Sequence, residues 1–321
     1  MTMKQSRHHR QRGAALLLAM IIVTLIATLA VSMVWQQWRA VQVETAERAR
    51  AQSAWILSGA LDWAGLILKE DARPSAAPVD HLGEPWAVPL AEARLSTFLA
   101  ADTDNTDDAP EAFLSGSITD AQSHFNLRNL IDAKGEVSPL DLAILRRLCE
   151  NVNVTATTAD LLAKGLKAAY ATAGSAGAPA DPPLVPKRIS QLVWLGVDAQ
   201  ALQRLEPHIV LLPESTKVNI NTASREVIAA AIPGLNVGDA ERLVQYRQRT
   251  PFLKQQDIQG QLPAMTPVEL QGVDVASRYF EVRGRLRLSD RVLEQRSLVE
   301  RNQKTITVLS SERVNSNDSG R

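Results

Sequence analysis

The hydrophobic and polar positions of this chain begin with a long run of apolar residues. Residues 14–35 carry no charged side chain. At a helical rise of about 1.5 Å per residue, the run is long enough to cross the hydrocarbon core of a bilayer. The pattern therefore predicts a membrane-spanning helix near the N-terminus.

The apolar run continues into an amphipathic pattern. No proline interrupts it before Pro74, and apolar residues keep recurring at steps of three and four. One helix is therefore predicted from about Ala14 to Glu70. Its first half, residues 14–35, would lie in the bilayer, and its second half, residues 36–73, would pack on a soluble domain.

The pattern changes twice further along the chain. Residues 74–131 are rich in loop-forming residues and end in an extended segment, and residues 132–276 carry several helical periods. Residues 277–314 alternate apolar and polar positions, which predicts antiparallel strands, and the polar tail 315–321 is predicted to be disordered. The order predicts an α+β fold, with the long helix packed on an antiparallel sheet and a large all-helical domain inserted.

Charge is distributed unevenly around the apolar run. Residues 1–13 contain four basic side chains and no acidic one. This asymmetry holds the N-terminus in the cytoplasm and exports the rest of the chain. Without this leader the 35 acidic side chains exceed the remaining basic ones, which argues against a general polyanion binder.

Three fates of the apolar run are open from the pattern alone. It could be a plain single-pass anchor, or signal peptidase could cut it after Ala30. The third possibility comes from Gly13, which lies between the basic leader and the apolar run. This arrangement resembles the class III signal of type IV pilins and type II secretion pseudopilins. The resemblance implies cleavage by prepilin peptidase between Gly13 and Ala14, which leaves the helix on the mature protein.

Two downstream motifs resemble the K-type minor pseudopilins, the general secretion pathway protein K family. They are ITDAQSHFNLRNLI at 118–131 and KVNINTASREVIAAAIPGLNVGDAERLVQYRQRTPF at 217–252. The resemblance implies a pilin-like body formed by residues 74–131 and 277–314. It also implies that the second half of the inserted domain resembles a helix-hairpin-helix.

The same resemblance implies a function and a set of partners. The subunit would sit at the tip of the periplasmic pseudopilus of a type II secretion system, initiating or capping its assembly for export of folded proteins. Its partners would be the I- and J-type minor pseudopilins, the major pseudopilin, prepilin peptidase and the inner-membrane assembly platform. It would be a single-pass inner-membrane protein with a periplasmic C-terminal domain.

One position departs from the general pilin pattern. Most pilin-like subunits carry a glutamate as the fifth mature residue, and Leu18 stands there in this chain. A carboxylate without a partner is costly in lipid. The resemblance therefore implies a subunit that has no neighbour above it.

A stripe of small hydroxyl residues runs along the membrane half of the helix at Thr24, Thr28 and Ser32. Such a stripe permits close packing of helices in a membrane. The alternative is that each hydroxyl bonds a carbonyl one turn back in its own helix and contacts only lipid. The sequence leaves both interpretations open.

Two other classes of function compete with assembly. The 217–252 motif is also similar to the helix-hairpin-helix of DNA-uptake receptors, but its turn, Gly234-Leu235-Asn236, lacks the second glycine that phosphate binding uses. The stretch has little net positive charge, so a packing role is favoured and no nucleic acid is expected. Because no catalytic motif occurs, an enzyme is not expected.

Candidate metal chemistry is confined to one acidic loop. Asp102, Asp104, Asp107 and Asp108 offer the oxygen ligands that Ca²⁺ prefers, although the spacing is not that of an EF-hand. A solvated acidic turn is the alternative, and no cofactor is required by the predicted function. The only cysteine, Cys149, is predicted to be a buried apolar residue, and it excludes a disulfide within the chain.

Overall fold

The structure is a computed structural model. It describes residues 11–72, 79–95, 112–171, 182–262, 269–288, 291–302 and 305–314. The chain divides into two compact units, Met1–Ile56 and Leu57–Arg321. Each is described here by itself.

The predicted long helix is present as α1, Gln11–Asp71, with 61 residues. It begins three residues before the predicted start, inside the predicted leader. Its length is about 90 Å at the helical rise. Residues 11–56 make up the described part of the first unit, and the last turns of α1 belong to the second.

The second unit contains a five-stranded antiparallel sheet in the order β1-β2-β7-β8-β9. Its strands are β1 Leu90–Arg94, β2 Ala112–Asp120, β7 Tyr279–Leu288, β8 Arg291–Asn302 and β9 Thr305–Val314. The last three strands confirm the prediction from the alternating pattern. β1 was predicted as loop, since LAEAR has only a short apolar alternation and lies in a proline-rich stretch.

The end of α1 packs on one face of this sheet. Ala64 and Leu68 of α1 share a buried cluster with Ile118, Trp86 and the strand residues Phe280, Val282 and Val299. The Trp86 ring meets Phe280 edge to face, with centroids 5.3 Å apart. These contacts fix the helix on the sheet through apolar burial.

The helical region lies between β2 and β7 in the chain. Its helices are α2 Pro139–Asn151, α3 Ala156–Tyr170, α4 Ala199–Leu205, α5 Arg225–Ala231, α6 Val237–Arg249 and α7 Gln255–Gln261. Ser138 caps the start of α2, because its hydroxyl accepts a hydrogen bond from Asp141 N. α7 was not predicted, since QQDIQGQ holds one strongly apolar residue.

The helical region also contains short strands that the pattern does not show. β3 Phe125–Asn126 pairs in parallel with β4 Ile209–Val210, and β5 Val218–Asn219 pairs in parallel with β6 Val273–Asp274. Strands of two residues are too short for a periodic signal. They tie segments that are distant along the chain.

The predicted boundary at residue 132 does not coincide with a change of core. Phe125, Leu127 and Leu130 are buried in the same cluster as Leu145 and the other core residues of the helices. The pattern places these residues with the body because the preceding strand runs directly into them. In the structure, the helical region begins within a few residues of the end of β2.

A glycine pair lets the strands approach in the middle of the sheet. Gly116 of β2 stands opposite Gly284 of β7. A Cβ atom built on Gly116 would lie 2.6 Å from the carbonyl oxygen of Arg283. No side chain fits at that distance without a shift of the strand backbone.

We expect Gly116→Ala to lower the free energy of unfolding by about 1–3 kcal/mol, because the added methyl group overpacks the sheet. The matched control is Gly59→Ala on the exposed side of α1, where a Cβ atom would meet nothing within 4 Å. The control should be neutral or stabilising by up to ~1 kcal/mol, since alanine favours helix. Urea unfolding of both variants measures the difference, and equal effects would contradict the packing argument.

Candidate functional site

The first candidate surface is the apolar part of α1. Among the described residues one helix, Ala14–Asp71, is long and apolar enough to cross a membrane. The apolar side chains of residues 14–43 are exposed, and Leu18, at the position of the missing glutamate, is 61% exposed. At the end of the apolar run, the Arg39 guanidinium lies 5.0 Å from the Trp35 ring centroid. Paired aromatic and basic residues are typical of a membrane interface.

The hydroxyl stripe has its bonds inside the helix. The hydroxyls of Thr24 and Thr28 donate to the carbonyl oxygens of Ile21 and Leu25, each at 2.9 Å. The acceptors lie three residues back. These bonds satisfy the hydroxyls in a single helix, so close packing along Thr24, Thr28 and Ser32 stays a prediction.

A second candidate site is a buried polar cluster where the sheet, the end of α1 and the helical region meet. We call this cluster the junction. Its members are Asp71, Asp80, Glu84, Asp120, Asn219, Thr222, Ser277 and Arg301.

Asp120, the last residue of β2, is the centre of the junction. It is 3% exposed. Its Oδ2 accepts hydrogen bonds from the hydroxyls of Ser277 and Thr222, each at 2.6 Å, and from Asn219 Nδ2 at 2.9 Å. Its Oδ1 accepts from Gln122 N at 2.7 Å. One carboxylate at the end of the sheet thus binds both ends of the helical region.

Asn219 completes this link. Besides Asp120, its amide nitrogen donates to the carbonyl oxygen of Asp80 and lies 3.0 Å from the hydroxyl of Ser277. Its Oδ1 accepts from Asn221 N, which turns the chain into the VNINTAS motif. The amide is fully buried, so its hydrogen bonds are not exchanged with water.

The other asparagines of the two motifs bind distant backbone in the same manner. Asn129 donates to the carbonyl of Thr216 and accepts from its N–H, and Asn221 does the same with Phe252. Asn126 binds Leu212 N and the carbonyl of Glu214. A side-chain amide can pair with both the N–H and the C=O of one residue, which an apolar or charged residue of this size cannot do.

Arg301 of β8 connects the junction to the end of α1. Its guanidinium donates to Asp71 at 2.9 Å, to Asp80 at 2.5 Å and to the carbonyl of Ser277 at 3.0 Å. Arg301 is 4% exposed. Glu84 accepts from Trp86 Nε1 at 2.6 Å and from His81 N at 2.9 Å. The junction is therefore held by protein groups from six segments of the chain.

Carboxylate oxygens of Asp71, Asp80 and Glu84 lie within 4.8 Å of one another. The donor set does not fit a cation site, because the guanidinium of Arg301 already binds two of the three carboxylates. The predicted calcium ligands Asp102, Asp104, Asp107 and Asp108 lie outside the described residues. Calcium binding by that loop stays a prediction.

The hairpin in the second motif is a packing unit. Gly234 has φ +79°, and the following Asn236 caps α6 by accepting from Asp239 N. Its helices bury Ile228, Ala240 and their neighbours in the core of the helical region. Two of its arginines are paired with acidic side chains, Arg242 with Asp239 and Arg225 with Glu226 and Glu241. This pairing lowers the charge available to a phosphate backbone.

Comparisons with known proteins agree with the architecture. Family models for protein K of the type II secretion system match residues 123–214 and 218–282. A type II secretion system protein K from Klebsiella pneumoniae is 30% identical over 76% of this chain and 77% of the relative. The one from Pseudomonas aeruginosa is 28% identical over 88% of this chain and 86% of the relative.

A solved structure shows the same fold. The GspK-GspI-GspJ complex from the type 2 secretion system of enterotoxigenic Escherichia coli contains a chain that matches with a TM-score of 0.58 and 20% identity. The match covers 84% of this chain and 99% of that chain.

The anchor helix, the sheet on which its end packs and the inserted helical region define a membrane-anchored subunit of the pilin-like class. The relatives then give the family. The chain belongs to the type II secretion system protein K family, whose members are minor pseudopilins of protein secretion.

Sequence reasoning found both motifs but missed the junction itself. Asp80, Ser277 and Arg301 lie outside the two motifs, in segments without a distinctive pattern. One signal was present: Arg301 is a charged residue within an alternating strand pattern. A buried arginine in a strand needs an acidic partner, but the sequence does not say which acid folds against it.

We expect Asp120→Ala to lower the free energy of unfolding by about 1–3 kcal/mol, because it removes the shared acceptor of Ser277, Thr222 and Asn219. The matched control is Asp160→Ala, which breaks an ion pair with Arg146 whose two side chains are each 47% exposed. The control should cost less than ~1 kcal/mol. Urea midpoints at pH 7 compare them, and a larger loss in the control would refute the role of the junction.

Proposed function

We propose that this subunit sits at the tip of the periplasmic pseudopilus and initiates or caps its assembly. The filament then helps to move folded proteins across the outer membrane. The observation that carries this proposal is the helix α1, which keeps an apolar surface exposed while its last turns are built into the sheet. Such a surface needs lipid before assembly and sister helices afterwards.

The partners follow from the relative of the same fold, which is solved with GspI and GspJ. The proposal assigns this chain the corresponding I- and J-type minor pseudopilins, with the major pseudopilin below them. Thr24, Thr28 and Ser32 would face a neighbouring helix, where small side chains allow close approach. The helical region adds bulk on the body, which is consistent with a position that nothing stacks upon.

The proposed topology places the N-terminus in the cytoplasm and the second unit in the periplasm. The basic leader supports this orientation in the inner membrane. Assembly, and not catalysis, would be the activity. The chain's one cysteine is consistent with this proposal. Burial raises the pKa of the Cys149 thiol to about 11, so the thiol stays protonated and is a poor nucleophile.

Processing after Gly13 is the most direct test of this assignment. We expect the mature protein to begin at Ala14 and to copurify from membranes with the I- and J-type subunits. Gly13→Leu should abolish cleavage and reduce copurification, whereas Ala30→Leu, which alters only the alternative signal peptidase site, should change neither. N-terminal sequencing and intact mass read out the start. A start well beyond Ala14 would refute the proposal.

Leu18 gives a second test, of position in the filament. We expect Leu18→Glu to weaken tip placement, because a carboxylate without a partner costs about 3 kcal/mol or more in the bilayer. The control Leu18→Ile keeps the site apolar. Crosslinking to the I- and J-type subunits in membranes measures placement, and an unchanged crosslinking yield for the glutamate variant would make the missing carboxylate incidental.

A further inference from the structure

The junction holds more negative charge than its basic group can balance. Among the residues that the structure describes, its four carboxyl groups, Asp71, Asp80, Glu84 and Asp120, face one guanidinium, that of Arg301. Asp80 is 0% exposed and Asp120 is 3% exposed. A buried carboxylate without a cation beside it is costly, and such a group gains stability by binding a proton.

The other groups that face the junction do not remove this excess. His81 Nε2 lies 3.7 Å from Glu84 Oε1, where the imidazole can offset one charge when it is protonated. Asn219, Thr222, Ser277 and Gln122 contribute neutral donors. Arg278, next to Ser277 in the chain, pairs with Glu214 at the surface.

Asp120 is the clearest member, since all of its donors are neutral groups. Burial raises the pKa of Asp120 to about 6, and the hydrogen bonds from Ser277 and Thr222 lower it only in part. Burial, then the neighbouring Glu84 charge, raises the pKa of Asp71 to about 6. Burial also raises the pKa of Asp80, although Arg301 opposes the shift.

The hydrogen-bond partners of Asp120 can accommodate a proton on its carboxyl group. A hydroxyl group both donates and accepts, so a protonated Asp120 can donate to the oxygen of Ser277 or Thr222. The hydroxyl of Thr222 also lies 3.3 Å from the carbonyl oxygen of Asn219, which gives its own proton another acceptor. Protonation therefore needs rotation of hydroxyls and no movement of the backbone.

We propose that the junction is a proton-operated coupling, in which mild acid strengthens the attachment of the helical region to the sheet and to the end of α1. The direction follows from linkage. A carboxyl group with a raised pKa in the folded state stabilises fully below its unfolded pKa of 3.8, and this contribution is lost as the pH rises through about 6. Between these values, the unfolding constant changes up to about tenfold per pH unit for each such group.

The test uses the full chain in detergent micelles with EDTA, so that no divalent cation competes with the proton. Urea unfolding, followed by tryptophan fluorescence, is measured from pH 5 to pH 8 for the wild type and Asp120→Asn. The asparagine is uncharged at every pH. The ratio of the unfolding constants, wild type over variant, should rise about tenfold from pH 5 to pH 7.5.

The matched control is Asp62→Asn, which removes an exposed carboxylate of α1 outside the junction. Its ratio to wild type should stay constant over the same range. Asp71→Asn, at the edge of the junction, should shift in the same direction as Asp120→Asn and replaces it where that variant does not fold.

Infrared spectroscopy of the folded protein gives a second measurement, in which the spectrum of Asp120→Asn is subtracted from that of the wild type at each pH, so that the other carboxyl groups cancel. The band of protonated carboxyl groups in this difference spectrum should grow as the pH falls from 7 to 5. A ratio for Asp120→Asn that is constant or falls with pH would overturn the proposal. So would a difference spectrum without the carboxyl band at pH 5.

Discussion

The hydrogen bonds of one buried carboxylate set the arrangement of the second unit. Asp120 ends β2, and its donors Asn219 and Ser277 lie near the two ends of the second motif's half of the helical region. Because the group is buried, losing a donor would leave it unsatisfied. The chain can therefore leave the sheet for more than 150 residues and return to it as β7 in a single orientation.

This constraint explains the composition of the two family motifs. Their asparagines are not placed on a surface for a ligand. Asn129 and Asn221 each pair with the N–H and the C=O of one distant residue. The amide nitrogen of Asn219 lies within hydrogen-bond distance of three oxygen acceptors. Buried backbone that has no strand or helix partner needs such groups. The motif residues thus attach the helical region to the sheet and hold its own segments together, while assembly depends on the exposed surface of α1.

The sequence predicts the elements with strong periods and misses those whose basis is tertiary. The apolar run predicts α1, and the alternation over residues 279–314 predicts three strands, because burial on one face repeats along the chain. β3 to β6 have two residues each and form only when distant segments meet. Asp120 and Asn219 lie in the motifs that were recognised by resemblance, but their shared partner Ser277 and the junction's Arg301 follow from the fold alone. The candidate calcium loop lies outside the described residues.

The end of α1 shows why the junction needs its arginine. A negative charge in the last turn of a helix meets the negative end of the helix dipole, which is unfavourable. Asp71 occupies that position, and burial and Glu84 add to the cost. Arg301 offsets it by donating to Asp71 and Asp80 together. Asp71 is therefore unfavourable for the helix alone but binds the end of α1 to β8 through Arg301. The same unfavourable negative charge makes this contact sensitive to protonation.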